Sequence, residues 1–148
     1  LRAWLKVVGD PDGPGELELL TAQCHLDLGY PDAADQALGA ALGAHPPLPA
    51  DRRLDALRLR GEVAAFRKDT GERDRWRELE QAAAELLKGA EQLNDGRLRV
   101  AAGRALAEAR ARRDDAAGAL AALDGLLVLY DRLGDPLGRR DTQRQRAK

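Results

Sequence analysis

Turn-forming residues cut this sequence into pieces that read most naturally as helices. "GDPDGPG" (9–15), Gly29, "HPPLPAD" (45–51), "DTGERD" (69–74), "GAEQLNDG" (89–96), "RRDD" (112–115) and Gly134 separate stretches rich in alanine and leucine. Within those stretches apolar residues return every three or four positions, the period of an amphipathic helix. No stretch shows the strict alternation of a half-buried strand. "LLVLY" (126–130) is the best local candidate, but it lies inside a helical stripe.

The spacing predicts a first helix around Trp4, Leu5 and Val8, and a second from Gly15 to Leu28 with Leu17, Leu20, Cys24 and Leu28 as its stripe. The third spans Pro31–Leu42, with Pro31 at its first position, Asp32 and Asp35 near its positive end, and Ala34, Leu38, Ala41 and Leu42 on its apolar side. Further helices follow over Asp51–Lys68 (Leu54, Leu57, Gly61, Ala64, Ala65), Asp74–Lys88 (Trp76, Leu79, Ala83, Leu86, Leu87) and Gly96–Arg112 (Leu98, Ala102, Ala105, Leu106, Ala109). Asn94 or Asp95 is placed to cap the last of these. Asp114 or Asp115 opens a helix to Leu133 (Ala116, Leu120, Leu123, Leu127, Tyr130). Asp135 and Pro136 open a final one. The class is all-α.

Composition agrees. β-branched residues are few, aromatics are 3 % and charged residues 33 %, so the core must come from leucine and alanine. Serine, isoleucine and methionine are absent, as in GC-rich coding. The net charge of −1 conceals a gradient. Residues 1–50 carry 2 basic and 7 acidic groups, 51–96 carry 10 and 11, and 97–148 carry 12 and 7. That is either a polar surface or the ordinary imbalance of solvated helix faces.

First helices of successive pairs start near Gly15, Asp51, Gly96 and Pro136, intervals of about 36, 45 and 40 residues, as in a helical solenoid. "PDAADQAL" (31–38) and "DDAAGAL" (114–120) open two second helices alike. Twelve residues before Ala34 stands Ala22, and twelve before Ala117 stands Ala105. Small residues at that offset would let paired backbones approach closely. The middle pair has Gly61, but Arg73 follows at the same offset and the pattern restarts near Ala83.

This pattern resembles the tetratricopeptide repeat, with Ala22 and Ala34 at the small positions, Leu38 at the large apolar one, then Ala41 and Pro46. "LLVLYDRLGDPLGRR" (126–140) is similar to the junction of the roughly forty-residue variants found in bacterial regulators and signalling ATPases. The resemblance covers about residues 15–148. An ordinary antiparallel bundle remains the alternative. The tetratricopeptide resemblance implies one helical-repeat domain over 1–148, a segment of a longer chain. Its pairs fall at about 15–43, 51–88 and 95–133, with partial helices at 1–8 and 136–148, stacked as a right-handed solenoid. It also implies a concave groove for a protein or peptide ligand. Gln23 and Asp27, with Glu16, Leu19 and Leu26, would line it on the first pair. Arg58, Glu62 and Phe66, with Asp55, would follow, then Arg99, Leu106 and Arg110. Ala22, Ala34, Gly61, Ala105 and Ala117 would serve helix pairing.

Catalysis finds little support. There is no serine nucleophile, and only two histidines, His25 and His45. Cys24 and His25 are adjacent, so on a helix they diverge. His25 is expected to pack and His45 to be exposed. No Cys-x-x-Cys, His-Glu-x-x-His, calcium loop or phosphate loop occurs. No metal or cofactor is expected. The arginine-rich stretches 97–113 and 139–148 lack aromatic stacking partners and are interleaved with carboxylates, which disfavours direct nucleic-acid binding. The lone cysteine suits a reducing, cytoplasmic setting, and no apolar run approaches a membrane span. The expected function is a non-enzymatic interaction scaffold in a larger bacterial regulatory or signalling protein. The alternatives are a self-association module, or a bundle supporting a nucleic-acid-binding or ATPase domain elsewhere.

Overall fold

A computed structural model describes residues 13–134 and 136–147, with side chains for all of these except 136–139. The expected N-terminal helix around Trp4, Leu5 and Val8 and the capping role of Asp135 lie outside the described residues. The described residues are helical throughout, apart from turns: α1 Pro14–Asp27, α2 Pro31–Leu42, α3 Ala50–Phe66, α4 Glu72–Leu93, α5 Gly96–Arg112, α6 Ala116–Leu133 and α7 Pro136–Ala147. No described helix is long and apolar enough to cross a membrane. The chain divides into two compact units, up to Arg75 and from Trp76 onward.

The helices end by a shared device. After α1, Gly29 N–H donates to Leu26 C=O at 3.0 Å and Tyr30 N–H to His25 C=O at 2.8 Å. This is a Schellman closure, with Gly29 left-handed at φ +82°. The same pair of bonds recurs after α3 (Lys68 to Ala65, Asp69 to Ala64), α4 (Asn94 to Glu91, Asp95 to Ala90) and α5 (Asp114 to Ala111, Asp115 to Arg110). There the left-handed residue is Lys68 (φ 52°), Asn94 (φ 54°) or Asp114 (φ 62°). Asparagine and aspartate tolerate that conformation; lysine has no local hydrogen bond to offset its Cβ penalty. Lys68→Gly should therefore raise stability by about 0.5–1 kcal/mol, read as a higher urea midpoint with unchanged slope. A lower midpoint would contradict the turn geometry.

In the first unit, α1 and α2 pack along each other and α3 lies against both. Their shared core holds Leu19 and Ala22 from α1, Ala34, Ala37, Leu38 and Ala41 from α2, and Ala56, Leu59 and Val63 from α3. Leu26, Leu42 and Leu48 pack at its margin. Ala22 and Ala34 are almost wholly buried, at 1 % and 0 % exposure. The α1 stripe differs from the expected one. Leu17, Leu20 and Cys24 are half-buried and Leu28 is exposed, while Leu19, Ala22 and Leu26 face the core. The reason is that α1 is apolar on several sides. Periodicity offers two stripes, and the one containing the small Ala22 allows close packing. α3 has a second buried face, Leu54, Leu57, Gly61 and Ala64.

In the second unit, α5 packs on α6 and α6 on α7. Ala107, Leu123, Leu126 and Tyr130 form a core with Val100 and Ala122 at its edge. Close approach comes at Gly103, where a Cβ would lie 2.8 Å from Leu126 Cδ2. The expected pairing of Ala105 with Ala117 is not what brings these helices together: Ala105 is half-buried and Ala117 exposed, with Ala119 buried instead. The shared acidic-Ala-Ala string marks the start of the helix, where Asp115 caps Gly118 N–H at 2.9 Å, and so stands before the contact begins.

α4 continues to Leu93, beyond the expected stop at Lys88. Gly89 stays helical and Ala90 is 1 % exposed, so burial outweighs the roughly 1 kcal/mol helix cost of glycine. Asp95 then caps α5, accepting from Leu98 N–H at 3.2 Å. Trp76 is 1 % exposed, with the Arg112 guanidinium 5.1 Å from its ring centroid. Arg146 joins α7 to Asp124 of α6 at 2.7 Å.

Candidate binding cleft

In the first unit, the residues expected to line a groove are mostly engaged with close neighbours. Gln23 Nε2 donates to Asp27 Oδ1 at 2.8 Å, one helical turn away. Arg58 and Glu62 form the same kind of pair at 2.8 Å. Arg52 bridges Glu16 at 2.9 Å and Asp55 at 3.0 Å. Arg67 lies 3.5 Å from Asp32 and 3.6 Å from Asp35. Three carboxylates of the acidic head, Glu16, Asp32 and Asp35, thus meet arginines from α3 and its C-terminal cap. Leu19, expected in the groove, is instead in the core at 3 % exposure, because it belongs to the buried α1 stripe. Phe66 stands exposed at the end of α3.

Asp55 has a displaced titration. Burial raises it above the ordinary aspartate range, and this outweighs the lowering by Arg52 and Arg58. A raised folded value means the ionised form opposes folding above it, and that opposition fades as pH falls through it. Asp55→Asn should therefore be slightly more stable than the parent at pH 7, with the difference lost in acid. The gain is small because 43 % of the side chain meets solvent. A loss at pH 7 would mean the Arg52 pair outweighs desolvation.

The second unit gathers its expected residues. Arg99, Leu106 and Arg110 lie on one side of α5 and line a single cleft of about 540 Å³. Leu87 and Glu91 of α4 contribute, as do Gly125, Leu126, Val128, Leu129 and Arg132 of α6. That volume falls within the range of ordinary ligand sites, and the floor is apolar. Gly103 brings α5 close to α6, and nothing would meet a Cβ at Gly125 within 4 Å, so the wall above it is low.

The cationic groups differ in availability. Arg110 donates to Gly118 C=O at 3.1 Å and lies 3.5 Å from Glu80. Glu80 also pairs with Arg113, and thus ties Arg110 of α5 and the C-cap residue Arg113 to α4. Arg99 is different: its Nε is shielded from solvent and has no acceptor. A buried donor left unpaired costs about 1–3 kcal/mol, which an incoming acceptor would recover. Arg132 lies exposed on the same cleft. The repeat resemblance named three of these residues, and their spacing of seven and four sets them on one side of α5. Gly125 and Arg132 depend on how α6 registers against α5, which no single-helix pattern contains.

Among the described residues, no group of three or more His, Cys, Asp or Glu is placed to hold a metal ion. Cys24 is a half-buried free thiol. His25 packs edge-on to Tyr30, centroids 6.5 Å apart. His45 is exposed in the connector between α2 and α3. No family model matches the chain, and comparison with curated proteins and with solved structures returns no match.

Proposed function

We propose that this chain is a non-enzymatic scaffold that holds a segment of another protein. In this reading it belongs to a right-handed tetratricopeptide-like solenoid within a larger bacterial regulatory or signalling protein of the cytoplasm. The arginine-flanked apolar cleft of the second unit carries the proposal. It offers burial for an apolar side chain and a cation for an acidic one. The chain's helix hairpins with short turns, and the alanines between α1 and α2, are compatible with the repeat.

The test is photocrosslinking from position 128 of the intact parent protein in its native cells, since Val128 is 53 % exposed beside the cleft. The expected result is a discrete crosslinked protein, lost when the crosslinker moves to position 81 on exposed α4 surface. No crosslink from position 128 would remove the reading. Self-association is a second reading, favoured by the exposed Leu93 (77 %) and Leu133 (53 %). Sedimentation distinguishes them: a concentration-dependent dimer favours self-association, and a monomer at high concentration counts against it.

A further inference from the structure

The cleft is a trough rather than a pit, and its two ends are unlike. Its lining runs from Arg99 to Arg110 along α5 and from Ala121 to Arg132 along α6. Eleven residues of helix rise about 16 Å, the length of three helical turns. α5 and α6 are joined by a tight turn and run back along each other. The start of α5 therefore meets the end of α6, as the 3.0 Å from a Cβ at Gly96 to Leu133 Cδ2 requires. Arg99 and Arg132 fall at that end. The third arginine, Arg110, is at the far end and already held by Glu80 and the Gly118 carbonyl. The available positive charge is thus concentrated at one end of an apolar trough.

From this geometry we infer that the trough docks an acidic amphipathic helix of a partner protein, about three turns long. Its apolar face lies against Val128 and Leu87, above a floor of nearly buried Leu106, Leu126 and Leu129, and its carboxylates lie against Arg99 and Arg132. The inference rests on the scaffold reading above and specifies its partner. Three observations select this occupant over others. The trough has the length of about three helical turns. Gly125, exposed and with nothing within 4 Å of where a Cβ would stand, leaves room for a backbone cylinder. Half-buried Arg99 and exposed Arg132 set two guanidinium groups at one end of the trough, which a carboxylate engages and a neutral apolar ligand does not. Glu91 lines the same trough and sets one negative charge against these two arginines. It therefore opposes the proposed ligand and gives the test a variant of opposite sign.

The experiment titrates the chain with a labelled acetylated peptide amide, EELLDELLEELL, and with its uncharged counterpart, QQLLNQLLQQLL. The expected result is saturable binding of the acidic peptide, weakened about tenfold by Arg99→Gln and by Arg132→Gln. Glu91→Gln should tighten it several-fold. Gly125→Trp, which projects into open space, should fill the trough and abolish binding while circular dichroism stays unchanged. Equal affinity for the two peptides would overturn the inference, as would failure of both to bind, binding unaffected by Gly125→Trp, or weaker binding after Glu91→Gln. These outcomes leave the crosslinking result untouched. A discrete crosslink from position 128, together with equal peptide affinities, would keep the scaffold and reject the acidic helix.

Discussion

Replacing Trp76 by alanine should lower stability by about 3–5 kcal/mol, the largest loss expected of any single substitution here. The indole is 1 % exposed, so truncation leaves a cavity that its neighbours can only partly close. A smaller loss accompanies it. The Arg112 guanidinium, 5.1 Å from the ring centroid, would have no π face to lie on, worth about 0.5–1 kcal/mol at an exposed site. Trp76→Phe should recover most of the packing and part of the cation–π attraction. Urea unfolding of the three proteins measures both components. A loss below about 1 kcal/mol for the alanine variant would show that Trp76 is not enclosed in solution.

Ala34→Leu should cost about 1–3 kcal/mol, because the added atoms must enter a site with no free volume. Ala34 is 0 % exposed, in the same cluster as Ala22 and Leu38. The matching change at Ala117 is the informative control. Both alanines follow the same acidic-Ala string, yet Ala117 is exposed on the first turn of α6. Ala117→Leu should therefore stay within about 0.5 kcal/mol of the parent. Equal losses at both sites would restore the equivalence suggested by sequence and contradict the contact at Gly103.

Those two alanines show how far the sequence carries. Element ends were legible where the signal is chemical. Pro31 and Gly43 bound α2, Asp95 caps α5, and Gly134 takes the left-handed conformation at φ +68° after α6. Turns at Lys68, Asn94 and Asp114 were legible as polar breaks, but not as copies of the Gly29 closure. Backbone bonds hold lysine there without any sequence preference for it. Faces were legible where a helix has one apolar side, as in α2, and ambiguous where it has several, as in α1. Contacts between helices were the least accessible. The approach of α5 to α6 depends on Gly103 meeting Leu126, twenty-three positions along the chain. The same limit applies to the cleft. Its α5 residues share a side by arithmetic alone, whereas Gly125 and Arg132 join them only once the hairpin closes.

The local neutralisation of charge in the first unit has a consequence for how the molecule responds to ionic strength. Glu16, Asp55, Asp32 and Asp35 each face an arginine across a few ångströms of solvent-accessible surface. Such pairs contribute about 0–1 kcal/mol, so even where salt screens them the fold has little stability to lose. In the docking proposed above, steering of the partner toward Arg99 and Arg132 would act over longer distances, where screening is strongest. A salt titration that follows melting temperature and the association rate of the complex should see the second respond while the first holds nearly level. Recognition could then be switched off by ionic conditions that leave the fold intact.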